Sequence, residues 1–116
     1  MFFLATLLSF GWPTLRVEWI PTQSNTYTQQ GLRLAQIPKG SHSMEPYIHG
    51  GEFCYIDYNV SNIQLGDLVS NGHALHMVVA LNSRAVYMTG TNNRYSDGWY
   101  SRSNIQYIVR YIIQKS

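Results

Sequence analysis

Leu75-His76-Met77-Val78-Val79-Ala80-Leu81-Asn82-Ser83-Arg84-Ala85-Val86-Tyr87-Met88-Thr89 reads as two β-strands joined by a tight turn. Both runs are rich in residues that suit a pleated, half-buried surface, and Asn82-Ser83-Arg84 has the turn chemistry that separates them. Working outward, Phe53-Cys54-Tyr55-Ile56-Asp57, Leu68-Val69-Ser70 and the stretch from Ile105 to Ile113 have the same character. Each is bounded by Gly, Asn, Ser or Asp. Short strands at close spacing, with no convincing helical stripe, predict a mostly β, barrel-like domain. Upstream, Leu15 to Ile20 alternates apolar and charged residues as a half-buried strand does, until Pro21 ends it. The polar run from Thr22 to Gln30 reads as a loop. Gly31 to Ile37 again has period two before Pro38-Lys39-Gly40 breaks it. The chain therefore divides into an N-terminal apolar segment and extension, 1–37, and a compact β domain, 38–116.

At 116 residues the chain fits one domain with one core. Only 12% of residues are charged while 14% are aromatic, which excludes a disordered tail-like protein. The net charge of +2 comes from scattered arginines, so no basic face for nucleic acid is expected. A single cysteine, Cys54, rules out an intrachain disulfide and a cysteine-based zinc site, and its aromatic strand makes it a small core residue. His42, His49 and His73 have no recognised metal-ligand spacing, and no metal or organic cofactor is implied. The opening stretch from Met1 to Trp12 is strongly apolar but shorter than the ~20 residues that a spanning helix needs. It has no Lys or Arg before Arg16. Its first reading is a segment packed on this domain or docked on a partner protein, with an interfacial membrane anchor and an atypical signal as alternatives.

The chemistry concentrates in Gly40-Ser41-His42-Ser43-Met44-Glu45-Pro46, where the chain leaves one strand and turns before the next. A serine at such a turn can expose its hydroxyl beside backbone N–H groups that stabilise an oxyanion. A hydroxyl nucleophile needs a base. The lysines are Lys39, on the same turn, and Lys115, at the far end of the sequence, so histidine is the base this chain offers. His76 alone among the four histidines lies inside a strand-like run that would hold an imidazole rigidly, and an ordinary imidazole pKa of ~6.5 suits a general base. An orienting carboxylate would fix its tautomer. Asp97 follows His76, whereas Asp67 in Gly66-Asp67 reads as a turn leading into a strand. His42 and His49 read as exposed turn residues, Glu45 and Pro46 as shaping the turn. Tyr95, Trp99 and Tyr100 are candidates for a binding surface.

Taken in order, the Gly40-to-Pro46 box, Gly66-Asp67-Leu68-Val69, His76-Met77-Val78-Val79 and the stretch from Thr89 to Asp97 resemble the motif boxes of the type I signal peptidase superfamily, which includes LexA-like self-cleaving repressors. The resemblance covers about residues 38 to 113. It is to the archaeal and endoplasmic-reticulum variant, with histidine where other members have lysine. The resemblance implies a small coiled β-barrel-like catalytic core, Ser43 as nucleophile, His76 as base, Asp97 as the triad-type acid and Ser41 as an oxyanion-hole residue. Thr91 stands where the later box has its first acid. A polypeptide substrate is implied, lying extended along an edge strand with small side chains beside the cut. The leading expectation is thus a serine endopeptidase working through an acyl-enzyme. The alternative from another class is a non-catalytic binding or structural module of the same fold in a larger assembly, such as a virion or secretion complex. A repressor-type autoprotease ranks third, since the chain has neither a DNA-binding helix-turn-helix nor a lysine base.

Overall fold

A computed structural model describes residues 13–90 and 98–114. Its strands are β1 (Glu18–Ile20), β2 (Arg33–Gln36), β3 (Phe53–Asp57), β4 (Leu68–Ser70), β5 (Leu75–Leu81), β6 (Ala85–Thr89), β7 (Gly98–Ser101) and β8 (Tyr107–Ile113). They form one sheet of order β2-β3-β8-β4-β5-β6-β7, antiparallel along this path, with β1 pairing parallel to the second half of β8. The architecture is mostly β, as expected. Among the described residues the two end strands, β2 and β7, do not pair with each other, so the sheet is open where a barrel-like closure was anticipated.

The central hairpin follows from local chemistry. Asn82 donates its N–H to the Ala85 carbonyl at 3.0 Å, while its side-chain oxygen accepts from the N–H groups of Arg84 and Ala85. Asparagine closes such turns because its amide mimics a backbone carbonyl. In β5 the pairing shifts between Val78 and Ala80, a bulge that adds a residue opposite β6.

Alternate residues of a strand face opposite sides of the sheet. On one side Leu68, Met77 and Val109 join Met44, Ile48 and Cys54; on the other Val69, Val78 and Ile108 join Val86, Met88 and Ile105. Both faces of the middle strands are thereby covered, which is why every residue of β4 is buried. Each fully buried Val, Leu or Ile contributes about 1.5–3 kcal/mol before entropy is counted.

Residues ahead of position 38 share this sheet. Ile20, Leu32 and Tyr55 form a third cluster, and the Gln114 N–H donates to the Ile20 carbonyl at 2.8 Å. The run expected as a loop contains a short helix, α1 (Asn25–Gln29). Ser24 caps it by accepting from the Thr26 N–H, and Gly31, at φ +89°, follows it. Tertiary contacts hold so short a helix: the Tyr27 ring lies 4.9 Å from that of Tyr55 and 4.5 Å from that of Tyr111. Strand β7, in a stretch read only as surface aromatics, is an addition to the expected set. Its Trp99 packs edge-on against Tyr87 at 5.5 Å and Tyr100 packs against the second cluster, while Tyr95 lies outside the described residues.

Candidate active site

The Ser41–Pro46 box sits on the long connection between β2 and β3. Its base is closed by the Ile37 N–H donating to the Glu52 carbonyl at 2.8 Å and the Gly51 N–H donating to the Ile37 carbonyl at 2.9 Å. Met44 and Ile48, four residues apart and each 2% exposed, anchor the loop in the core. Between them the chain turns tightly, with the Ile48 N–H donating to the Met44 carbonyl at 3.0 Å. Ser43 directly precedes the Met44 anchor.

Ser43 faces the start of β5. Its hydroxyl donates to the Leu75 carbonyl at 2.9 Å, one residue from His76. His76 is fully buried in β5, opposite Val69 of β4. Gly90, immediately after β6, lies against both elements: a Cβ there would stand 2.5 Å from the Ser43 carbonyl oxygen and 3.1 Å from His76 Nε2. Only a residue without a side chain lets the Ser43 loop and the imidazole approach that point together. Ser41, Ser43 and His76 line one cleft of about 610 Å³. Ser41 is half-buried there, with its N–H donating to the Pro38 carbonyl at 2.9 Å. Asp97 lies outside the described residues, as does Thr91. The next residue, Gly98, opposes Met88 in the β6–β7 ladder.

Beside Ser43, Glu45 Oε2 lies 2.8 Å from His42 Nδ1 and 3.6 Å from His49 Nδ1. The hydrogen bond from His42 holds the Glu45 carboxyl below its usual pKa of 4.5. Both imidazoles are largely exposed, 69% and 58% of each side chain, as expected of turn residues. Cys54 is buried in the core; desolvation, then the nearby Glu52, pushes its thiol from 9.0 up to about 12. Such a thiol is inert as a nucleophile. Among the described residues no group of three His, Cys, Asp or Glu side chains could hold a metal. No helix among them is long and apolar enough to cross a membrane, and residues 1–12 lie outside that set.

Another part of the cleft lining escaped the sequence reading. It is built by the Asn71–Ala74 hairpin and by Gln106 and Tyr107. An Asn-Gly pair between two strand runs is a turn signal that could have located the hairpin, whereas nothing local marks Gln106. Gly90 was visible only as a letter between Thr89 and Thr91. Asp67, read as a simple turn residue, is fully buried. It accepts the Gln64 N–H at 2.8 Å and lies 3.6 Å from Arg110 and 3.8 Å from Arg16. It ties the chain before β1 to the sheet. Compared with known proteins, the chain matches no family model, no curated protein and no solved structure.

Proposed function

We propose that the protein is a serine endopeptidase of the type I signal peptidase kind, with Ser43 as nucleophile and His76 as its base. The observation that carries this reading is the packing at Gly90, where the Ser43 carbonyl and the His76 imidazole approach one point, both residues also lining the same cleft. In the proposed reaction His76 takes the Ser43 hydroxyl proton as Oγ bonds to the peptide carbonyl carbon. The oxyanion is met by the Ser43 N–H and the Ser41 hydroxyl. As the C–N bond breaks, His76 returns the proton to the leaving amine, and an acyl-enzyme remains. Water, giving a proton to His76, then attacks the ester carbon; the C–Oγ bond breaks, Oγ regains the proton and the acid product leaves. Asp97 is assigned the orienting role, and its neighbour Gly98 belongs to the strand that pairs with β6 beside Gly90.

A second reading, a binding or structural module without catalysis, is favoured by one feature. The Ser43 hydroxyl gives its hydrogen bond to the Leu75 carbonyl. In the peptidase this bond must be exchanged for one to the imidazole when substrate enters. A fluorophosphonate probe separates the two: the peptidase is labelled on Ser43, and both Ser43→Ala and His76→Ala abolish labelling. A folded wild-type protein that takes up no label, or label that persists undiminished in Ser43→Ala, would overturn the assignment.

A further inference from the structure

The cleft has an asymmetric polar lining. Histidines, serines, Gln106 and Tyr107 face it, and among the described residues no carboxylate does. The acid closest in sequence to the nucleophile, Glu45, is engaged by His42. Every polar side chain of the lining is able to donate a hydrogen bond, a combination that suits an acceptor-rich, negatively charged group.

The Asn71–Ala74 hairpin and Gln106, which share the cleft with Ser43, stand on backbone that the fold holds in place. The Asn71 side-chain oxygen accepts from the N–H groups of His73 and Ala74, both at 2.9 Å, which closes the turn that carries His73. Gly72, at φ +92°, lets the Gln106 amide lie against the hairpin, since a Cβ there would be 2.7 Å from Gln106 Nε2. The Gln106 N–H donates to the Ser70 carbonyl at 2.8 Å, fixing the backbone of the same residue. His73 and Gln106 are exposed. Neither side chain has a hydrogen-bond partner among the described residues. Two side chains with unspent hydrogen-bonding capacity therefore line the cleft on a fixed backbone.

We infer that the cleft selects peptides that place an acidic side chain against the Asn71–Ala74 hairpin, with His73 and Gln106 donating to its carboxylate. This deepens the reading of the cleft as a peptide site and rests on it. The preference is additional to the small side chains expected beside the cut, because the carboxylate would be held by His73 and Gln106 and not by Ser41 or Ser43.

The test is a binding titration with acetylated, amidated heptapeptides of alanine, serine and glycine that carry one aspartate at each position in turn. Each is paired with its asparagine twin, at low ionic strength, against the wild-type protein and the Ser43→Ala variant. The expected result is that at one position the aspartate peptide binds about tenfold more tightly than its twin. That preference should fall to within about twofold in the His73→Leu, Gln106→Leu double variant and reverse in Gln106→Glu. All these changes are at exposed positions, and circular dichroism confirms the fold of each variant. Equal binding of the twins at every position, no binding of either, or a preference that survives the double variant would overturn the inference. Serine labelling of the wild type reports separately on catalysis, so a failed preference and a failed peptidase assignment give different patterns.

Discussion

At the scale of single residues, Gly90 is where the Ser43 carbonyl and the His76 ring come together. Its hydrogen atoms face the Ser43 carbonyl and the edge of the His76 ring, and a methyl group there must displace one or both. Displacement by ~1 Å at a reacting pair costs on the order of 100-fold in rate, while overpacking costs stability by only ~1–3 kcal/mol. Gly90→Ala is therefore expected to slow fluorophosphonate labelling of Ser43 by about 100-fold while lowering the urea midpoint modestly. A variant that labels at the wild-type rate would show that Gly90 does not set the pair's position. Glu45 gives a second test at this scale. Its folded pKa is depressed by His42, so its contribution to stability is present above its ordinary value and is lost as pH falls through the depressed one. The urea midpoint of the wild type should thus drop more steeply between about pH 5 and about pH 3 than that of Glu45→Gln. Parallel curves would refute the link.

Elements matter through what they tie together. The turn before β4 carries Asp67, and the partners of that buried carboxylate come from two distant places, Arg16 ahead of β1 and Arg110 within β8. The Arg16 N–H donates to the Gly66 carbonyl at 2.8 Å, and a Cβ on Gly66 would collide with the Thr14 carbonyl oxygen. The carboxylate thus anchors the approach to β1 through both charge and close backbone contact. Replacing it by a neutral isostere leaves Arg110 less well compensated beside the core. Asp67→Asn should destabilise the protein by about 2–4 kcal/mol in urea titration, whereas Asp57→Asn, at a partly exposed partner of the same arginine, should cost less than about 1 kcal/mol. Equal effects would mean that burial does not control the strength of this network.

The whole molecule is a sheet whose strands come from both sides of position 38. β2 pairs along the full length of β3 from Arg33 opposite Ile56 to Gln36 opposite Phe53, and β1 pairs with β8 from Glu18 opposite Tyr111. Removing these strands would bare the edge of β3 and uncover Tyr55 and Ile112, which are 2% and 0% exposed. A fragment of residues 38–116 is expected to lack a cooperative thermal transition by circular dichroism. A sharp melt in that fragment would establish the β domain as an independent folding unit.

The amino-acid sequence by itself determined most of the strands, though not β7, and where the Gly40–Pro46 loop lies between them. The bounds of β3, β4, β5 and β6 follow from runs of β-branched, aromatic and aliphatic residues cut by Asn, Ser and Gly, a signal carried by near neighbours. Leu15–Ile20 and Gly31–Ile37 were legible as strands but not in their ends, because the ladders of β8 and β3 decide where pairing stops. Tertiary structure alone decided what meets across long separations: Gly90 with Ser43 and His76, Arg16 and Arg110 with Asp67, and Gln106 with the Asn71–Ala74 hairpin. It also decided α1, whose five residues are too few to form a stable helix without the packing of Tyr27 on Tyr55 and Tyr111. The physical reason is common to all of these. Periodicity reports the environment of one strand, whereas a site is made by register between strands, which follows from burying both faces of the sheet at once.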